Sequence, residues 1–173
     1  MGLFKKALVF TDIHFGMKSN SAQHNLDCEE FVEWAVEQGK LHGCETCIFM
    51  GDWHHHRASL SLQTMHHSLR ALEKLSAGFD VTHFITGNHD LYYRDKRDIY
   101  SYEWAKHIPN VNIHNEWFEQ DDVILVPWLV GDDHKRIKTA SAKFMFGHFE
   151  LPHFKMNAMV EMPDHGDINA DHF

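Results

Sequence analysis

Residues 84–90 read Phe84-Ile85-Thr86-Gly87-Asn88-His89-Asp90, and they join an apolar run to three polar side chains without a spacer. β-Branched and aromatic residues favour a buried strand, and a glycine lets the backbone turn where a side chain would collide. Asparagine, histidine and aspartate can bind metal ions or move protons. The segment therefore predicts a strand that delivers reactive side chains to the edge of a sheet.

The same pattern, a short apolar run that ends in an acidic or histidine side chain, occurs three more times. Leu8-Val9-Phe10 leads to Asp12 and His14, Cys47-Ile48-Phe49-Met50 leads to Asp52, and Phe144-Met145-Phe146 leads to His148. Open α/β sheets hold their ligands at the carboxyl ends of the strands. We therefore expect these side chains to form one site with more than one metal ion.

Two helices are predicted between the first three strands. The first runs over 25–42, and its apolar face is predicted from spacings of three and four at Phe31, Trp34, Ala35, Gln38 and Leu41. The second carries an apolar stripe at Leu62, Met65, Leu69, Leu72 and Leu75 and ends at Gly78. Shorter helices are expected over 99–107 and 131–142. Strands alternating with helices predict a largely parallel sheet with helices on its faces.

Composition limits the class of protein. With 173 residues, of which 43% are hydrophobic and 24% charged, the chain is expected to form one globular domain over 1–173. Its apolar segments are too short to cross a membrane, and the N-terminus lacks the features of a signal peptide. Three cysteines, expected to be buried free thiols, fit a reducing compartment, so we expect a cytoplasmic protein without membrane attachment. A net charge of −9 argues against a broad nucleic-acid-binding face.

The candidate ligands suit two divalent cations. Oxygen and imidazole donors favour Mn²⁺, with Fe and Zn as alternatives. Two cations about 3.5–4 Å apart need a bridging carboxylate and can activate a water molecule between them. We assign the bridge to Asp52, one cation to Asp12 and His14, and the other to Asn88 and His148. His89 is expected to face the substrate phosphate, where it stabilises charge or protonates the leaving oxygen.

Each short motif is weak alone, because Asp-x-His and Gly-Asp also occur at solvated strand ends and turns. The chain contains 17 histidines, so a lone histidine near an aspartate carries little information. Position directly after an apolar strand, repeated in one order, is the informative feature.

That order resembles the calcineurin-like metallophosphoesterases. The matching blocks are Asp12-Ile13-His14, Gly51-Asp52, Gly87-Asn88-His89-Asp90 and Gly147-His148. Within the family, the chain looks most like SbcD-type recombination nucleases and the phage endonuclease subunits that work with an SMC-like ATPase. The resemblance implies a four-layer α/β sandwich, with two β-sheets flanked by helices, in place of a single sheet. It also implies manganese-dependent phosphodiester cleavage of DNA, in recombination and repair, by a hydroxide that bridges two metals.

Two departures from the family pattern matter. His55 stands where phosphatase relatives carry an aspartate that orients the catalytic histidine, which favours a nuclease and assigns His55 to orienting His89, although His54 and His56 are neighbouring alternatives. No Gly-His-x-His follows His148, so one ligand for each metal is missing. His165 and His172 are not expected to replace them. We therefore expect a chain cut short before the last strands of the fold, with weak Mn²⁺ binding and little or no activity.

Substrate and partner contacts are predicted from fewer features. Tyr92, Tyr93 and Arg94 follow the Gly-Asn-His-Asp turn and offer aromatic faces and a cation to DNA, and Arg57 is expected beside the phosphate. In the related nucleases helices form a homodimer, and the stripe that begins at Leu62 could do so here, although a core position is favoured. Two other functions stay open: a phosphomonoesterase or small-molecule phosphodiesterase, and a non-catalytic scaffold with an incomplete site.

Overall fold

The computed structural model describes residues 2–155, 157–164 and 168–172, with the side chain of His172 left out. Its first sheet contains four parallel strands, in the order in which they occur along the chain. They are β1 (Ala7–Phe10), β2 (Thr46–Phe49), β3 (Val81–Ile85) and β4 (Val111–His114). β1, β2 and β3 end within one residue of the ends of the apolar runs that predicted them. Their carboxyl ends therefore lie along one edge of the sheet.

The second sheet contains three strands and is mixed. It consists of β5 (Phe118–Gln120), β6 (Val123–Val126) and β7 (Phe144–Gly147), with β6 in the centre. β5 and β6 are antiparallel and connect through Asp121 and Asp122, which both have positive φ angles, whereas β6 and β7 are parallel. This pairing places Gly147 at the same end of the second sheet as Val126.

The two sheets pack face to face, and helices cover their outer faces. Ile48 and Ile85 of the first sheet belong to one apolar cluster with Val123 and Leu125 of the second. A second cluster joins the other face of the first sheet to the long helices, and a third lies between the second sheet and the short helices near Ile137. The architecture is the four-layer sandwich that the resemblance implied, in place of a single sheet.

Helix α2 (Ala22–His42) follows a single turn, α1 (Met17–Asn20), and buries a different face from the predicted one. Phe31, Trp34 and Leu41 are exposed by 40, 53 and 74%. The buried positions are Cys28, Glu29, Val32, Ala35, Val36 and Gly39, with Asn25 at the start of the helix. Small residues decide the face, since a Cβ on Gly39 would lie 2.5 Å from the ring of Phe79. The aromatic side chains are too large for this close contact, so the predicted face was wrong except for Ala35, which is buried.

Helix α3 (Leu62–Gly78) matches the predicted stripe only in its second half. Leu72 and Leu75 are buried, but Leu62 is 90% exposed and Leu69 is 38% exposed. The first half buries Thr64 and Ser68 instead, because both hydroxyls hydrogen-bond to the interior. The core position favoured for Leu62 and Leu69 was therefore wrong, and their use in a homodimer stays a prediction.

The remaining helices are shorter than predicted. The segment expected over 99–107 is a 3-10 helix at Glu103–His107. The one expected over 131–142 consists of α4 (Asp133–Arg136) and a 3-10 turn, Ile137–Thr139, and a further 3-10 turn lies at Ala170–His172. None of the helices in the described ranges has the length and apolarity that crossing a bilayer requires. Cys28 and Cys47 are buried free thiols as expected, whereas Cys44 is partly exposed.

Candidate metal centre

The loops after β1 and β2 stay paired beyond the ends of their strands. The N–H of Asp12 donates to the carbonyl of Gly51, and the N–H of His14 donates to the carbonyl of Asp52, both at 3.0 Å. Such continued pairing fixes the backbone of a loop almost as firmly as that of a strand. It places Asp12 and His14 directly beside Asp52.

Asp12, His14 and Asp52 make up one half of the candidate site. Nε2 of His14 lies 3.5 Å from Oδ1 of Asp12 and 3.6 Å from Oδ2 of Asp52. One ligand atom from each of the three residues lies within 4.8 Å of the other two. A set of two carboxylates and one imidazole suits Mn²⁺, Fe²⁺ or Zn²⁺.

The charges of this half are matched to each other. Burial opposes ionisation of Asp12, but hydrogen bonds from His14 and Thr11 outweigh it and lower the pKa of Asp12. Burial also opposes protonation of His14, but Asp12 and Asp52 outweigh it and raise the pKa of His14. A metal ligand must be deprotonated, so a cation here and a proton on His14 would compete for the same nitrogen.

His148 and Asn88 make up the other half. Nε2 of His148 lies 3.5 Å from Oδ2 of Asp52 and 3.1 Å from Oδ1 of Asn88. Nδ1 of His148 lies 2.9 Å from the carbonyl oxygen of Met50, which can only accept a hydrogen bond. This contact assigns the proton of the neutral ring to Nδ1, and it leaves the lone pair of Nε2 facing the site.

The surroundings of the Asn88 amide test whether a cation fits. Its Oδ1 lies 3.2 and 3.1 Å from the two carboxylate oxygens of Asp52 and 3.1 Å from Nε2 of His148. In this orientation only hydrogen-bond acceptors face one another, which a divalent cation between them would satisfy. Turning the amide by 180° would place its NH₂ group there and satisfy the same atoms. The donor set therefore suits a cation and also has a stable arrangement without one.

Three of the candidate ligands have left-handed backbone conformations. The φ angle is 60° for Asp12, 55° for His14 and 61° for Asp52. Such conformations cost of order 1 kcal/mol each in non-glycine residues and cluster at functional sites. Here the loop pairing described above compensates for them.

Two glycines permit the loops after β2 and β3 to touch. A Cβ on Gly51 would lie 2.7 Å from the Cα of Gly87, and a Cβ on Gly87 would lie 2.3 Å from Oδ1 of Asp52. Distances below about 3 Å are not tolerated between such atoms. Asp52 and Asn88 can therefore approach each other only because both loops carry glycine.

Asp90, to which sequence reasoning gave no role, holds these two loops together. Its buried carboxylate accepts hydrogen bonds from the backbone N–H groups of Asp52 (2.7 Å), Trp53 (2.9 Å), His54 (3.1 Å) and Gly87 (2.9 Å). Burial and the neighbouring Asp52 carboxylate raise the pKa of Asp90, and the N–H donors counteract this rise. Its place as the last residue of the Gly-Asn-His-Asp block was the available signal.

His89 lines the same cleft, which has a volume of about 490 Å³. Its Nδ1 lies 2.8 Å from the carbonyl oxygen of His55, so the orienting contact comes from the backbone of His55 and not from its imidazole. The His55 ring instead stacks on the His89 ring, with the centroids 5.1 Å apart. Burial, together with His14 and His89, lowers the pKa of His55.

His54 has a structural position, which separates it from the neighbouring His55. It is fully buried, with Nδ1 2.7 Å from the hydroxyl of Ser101 and Nε2 2.7 Å from that of Ser68. Burial lowers the pKa of His54 to about 3. His54 is thus a neutral core residue and not a candidate for catalysis.

A comparison with models of known protein families identifies the family of this chain. The family model described as calcineurin-like phosphoesterase matches residues 5–167. The chain belongs to this family. Divalent metal ions and phosphate-ester hydrolysis are the chemistry of this family, and membership does not identify the metal.

This calcineurin-like phosphoesterase is similar in sequence to one named phage protein, and one solved structure aligns with part of it. Exonuclease subunit 1 of Enterobacteria phage T4 is 30% identical over 158 residues, which are 86% of this chain and 47% of the phage protein. The structure titled nuclease MPE of Pseudomonas putida aligns with a TM-score of 0.41 at 20% identity, over 69% of this chain and 52% of that one. The chain thus spans about half the length of each of these relatives.

The predicted substrate residues lie outside the metal cleft. Arg57, Tyr92, Tyr93 and Arg94 are absent from the described residues that line it. Tyr92 and Tyr93 are exposed, with ring centroids 4.8 Å apart, and Arg94 is exposed beside them. Arg57 is half-buried, with Nη1 3.4 Å from the carbonyl of Leu91. Arg57 nevertheless interacts electrostatically with Asp52 and Glu150 of the cleft.

The far wall of the cleft was not predicted. Within the described ranges it comes from the segment after β7, through Phe149, Glu150, Leu151, Phe154, Lys155 and Met162. These residues show no periodic pattern in the sequence. His165 lies outside the described residues, as does the side chain of His172, so the expectation that neither acts as a ligand stays a prediction.

Proposed function

We propose that this calcineurin-like phosphoesterase is a nuclease subunit that hydrolyses phosphodiester bonds in DNA with two divalent cations, Mn²⁺ in the first instance. One observation carries the proposal: imidazoles from two separate loops approach the same oxygen of one buried carboxylate. Nε2 of His14 lies 3.6 Å, and Nε2 of His148 lies 3.5 Å, from Oδ2 of Asp52. This is the arrangement that a bridging ligand between two cations requires.

Each residue then has a defined task. Asp12 and His14 would hold one cation, Asn88 and His148 would hold the other, and Asp52 would bridge them. When bound, the cations would supply an activated water molecule and neutralise the charge of the phosphate. The backbone N–H of His89 donates to Oδ1 of Asp52 at 2.8 Å, which fixes the carboxylate so that Oδ2 faces both imidazoles.

His89 would act on the substrate and not on the cations. Its Nδ1 donates to the carbonyl of His55, so when the ring is protonated Nε2 carries the second proton. A proton at this position can stabilise charge on the phosphate or protonate the leaving oxygen. The stacked His55 ring restricts the orientation of His89 from one side.

Low activity of this chain on its own is part of the proposal. The sequence has no Gly-His-x-His after His148, and each cation would have three protein ligands, with Asp52 shared between them. A site with fewer imidazole ligands than one completed by a Gly-His-x-His motif binds its cations less tightly. We therefore expect weak Mn²⁺ binding and slow turnover.

Partners are proposed from the names of relatives and from the resemblance. The phage relative is a subunit by name. We propose that this chain also works in a complex, and the SMC-like ATPase is the partner to test. The exposed Leu62 and Leu69 of α3 are the residues to substitute in a test for a homodimer.

The deciding experiment compares substrates at fixed protein and MnCl₂ concentrations. Labelled single-stranded and duplex DNA are incubated beside p-nitrophenyl phosphate and bis-p-nitrophenyl phosphate, with EDTA as the metal-free control. Cleavage of DNA that EDTA and Asp52→Asn both abolish supports the proposal. Turnover of p-nitrophenyl phosphate with intact DNA would identify a phosphomonoesterase. No turnover of any substrate, even with a partner subunit added, would indicate a scaffold.

A further inference from the structure

A second cavity, of about 170 Å³, adjoins the metal cleft. The two share His148, Phe149 and Glu150, so only side chains of one short segment separate them. The rest of the wall is largely apolar and aromatic and includes Trp128, Leu129 and Ile168. Neither the metal ligands of the first half nor His89 line this cavity, and the proposed hydrolysis does not use it.

Trp128 is fixed relative to the metal centre by its backbone. Its N–H donates to the carbonyl of Thr86 at 2.8 Å, and Thr86 lies two residues before Asn88. Its carbonyl accepts from Nη1 of Arg97 at 3.2 Å. The Trp128 indole lies beside His148, with ring centroids 6.1 Å apart. The aromatic wall of the cavity therefore keeps a constant position relative to the ligands Asn88 and His148.

Arg97 also fixes the opposite wall. This arginine is 8% exposed, and its Nη2 lies 2.8 Å from Oδ2 of Asp133, the first residue of α4. The next residue, His134, lines the cavity. Nδ1 of His134 is buried and has no hydrogen-bond partner within the described part of the chain. Because this nitrogen has almost no accessible surface, His134 lines the cavity through its other atoms.

We propose that this cavity binds an unpaired nucleobase of the nucleotide whose phosphate lies in the metal cleft. The inference rests on the proposed nuclease function and specifies its substrate. Aromatic walls bind the flat face of any base by stacking, and an imidazole nitrogen can hydrogen-bond to the base edge. A cavity of about 150 Å³ is known to hold a benzene molecule, so this one has room for a single base but not for a base pair.

Two features favour a base over other apolar groups. The cavity lies one side chain away from the ligands that would hold a phosphate, as a base lies beside its own phosphate in a nucleotide. Among the described residues its polar side chains are those of His134, His148 and Glu150, and donors and acceptors of this kind suit the mixed hydrogen-bonding edge of a base. The enzyme would thus take a frayed end or a single strand, in which a base is free to leave the stack.

The test is isothermal titration calorimetry in MnCl₂ with two ligands that differ only in the base, dCMP and 2-deoxyribose 5-phosphate. Wild-type protein should bind dCMP about 5- to 150-fold more tightly than 2-deoxyribose 5-phosphate, because this is the gain in affinity that stacking of one base on an aromatic residue typically gives. Trp128→Ala should remove this difference without weakening binding of the sugar phosphate. Trp128→Phe keeps a ring and should retain most of it. Trp34→Ala removes a tryptophan from an exposed position on α2 and is the matched control, expected to behave as wild type.

His134→Ala is the second test, because it truncates the opposite wall without removing an aromatic ring from the Trp128 side. It should reduce the preference for dCMP while the circular dichroism spectrum stays unchanged. Equal affinity of the wild type for both ligands would contradict the nucleobase site but not the nuclease function. If neither ligand binds, both the nucleobase site and the nuclease function would be contradicted. A preference that survives in both Trp128→Ala and His134→Ala would assign base recognition to another part of the molecule.

Discussion

The backbone N–H of His89 donates to Oδ1 of Asp52 at 2.8 Å. One oxygen of the carboxylate is therefore occupied by a fixed donor, and the other faces His14 and His148. This contact determines how the side-chain amide of an asparagine would be oriented at residue 52.

Asp52→Asn should abolish metal-dependent hydrolysis while leaving the fold intact. The His89 N–H will select the amide oxygen, which turns the NH₂ group toward the position that a cation ligand must occupy. Asparagine also tolerates the positive φ of residue 52, so the backbone will be retained. We expect activity to fall by at least about 100-fold, as is typical when an electrostatic contact in the transition state is lost. Activity assays beside a thermal melt will check this, with the exposed Asp80→Asn as control.

His89→Gln should reduce turnover without reducing metal affinity. The side chain faces the cleft and bonds to the carbonyl of His55, and none of the proposed cation contacts uses it. Loss of a general acid typically costs between about 10²- and 10⁴-fold in rate. Mn²⁺ titration monitored by electron paramagnetic resonance should give the same dissociation constant as wild type. A weaker constant would show that His89 is a ligand.

Gly87→Ala should destroy the metal centre. The added Cβ would lie 2.3 Å from Oδ1 of Asp52 and 2.5 Å from its backbone nitrogen, and neither atom can move without breaking a hydrogen bond to His89 or Asp90. We expect loss of Mn²⁺ binding together with a lower melting temperature. Gly43→Ala provides the comparison, because the new Cβ meets nothing within 4 Å but the residue has a φ of +66°. It should cost about 1 kcal/mol of stability and leave Mn²⁺ binding unchanged.

Acid should destabilise the protein through His54. Burial lowers the pKa of this residue to about 3 in the folded state, against 6.5 ordinarily. Below pH 6.5 the unfolded chain therefore takes up a proton that the folded protein does not, and stability falls with decreasing pH until about pH 3. The contribution of this one group between pH 6.5 and pH 5 is about 2 kcal/mol.

Urea unfolding at several pH values will measure this effect. His54→Gln can still bond to the two serine hydroxyls, and it should be less stable at pH 7 but show a flatter pH dependence. His83 and His114 also have lowered pKa values because of burial, so part of the slope will remain in the variant. An unchanged slope in His54→Gln would assign the acid sensitivity to other groups, such as His55, His83 and His114.

The sequence predicts the strands and the loop ends well, because both depend on local chemistry. Short apolar runs specify β1, β2, β3 and β7, and the polar residues after them lie at the carboxyl ends of these strands. Asp12, His14, Asp52, Asn88 and His148 could therefore be grouped from the order of residues alone. Their roles as ligands still await the experiments above.

Features that depend on tertiary contacts could not be predicted. The buried face of α2 is set by the contact between Gly39 and the Phe79 ring, and no periodicity of large apolar residues reports it. The carbonyl of His55 orients His89, and a backbone atom has no signature in a sequence. Tyr92 and Arg94 were assigned to the substrate from their position after the Gly-Asn-His-Asp turn; they are not among the described residues that line the cleft, and contact with DNA stays a prediction.

The carboxylate of Asp90 makes the loop after β2 and the loop after β3 a single cooperative unit. Amide protons of Asp52, Trp53, His54 and Gly87 should consequently exchange with deuterium as slowly as those of the strands, although these residues belong to loops. Local opening of this edge would then require unfolding of the whole first sheet. A cation would meet ligands that were already ordered when the chain folded, and its arrival would change the exchange rates there very little.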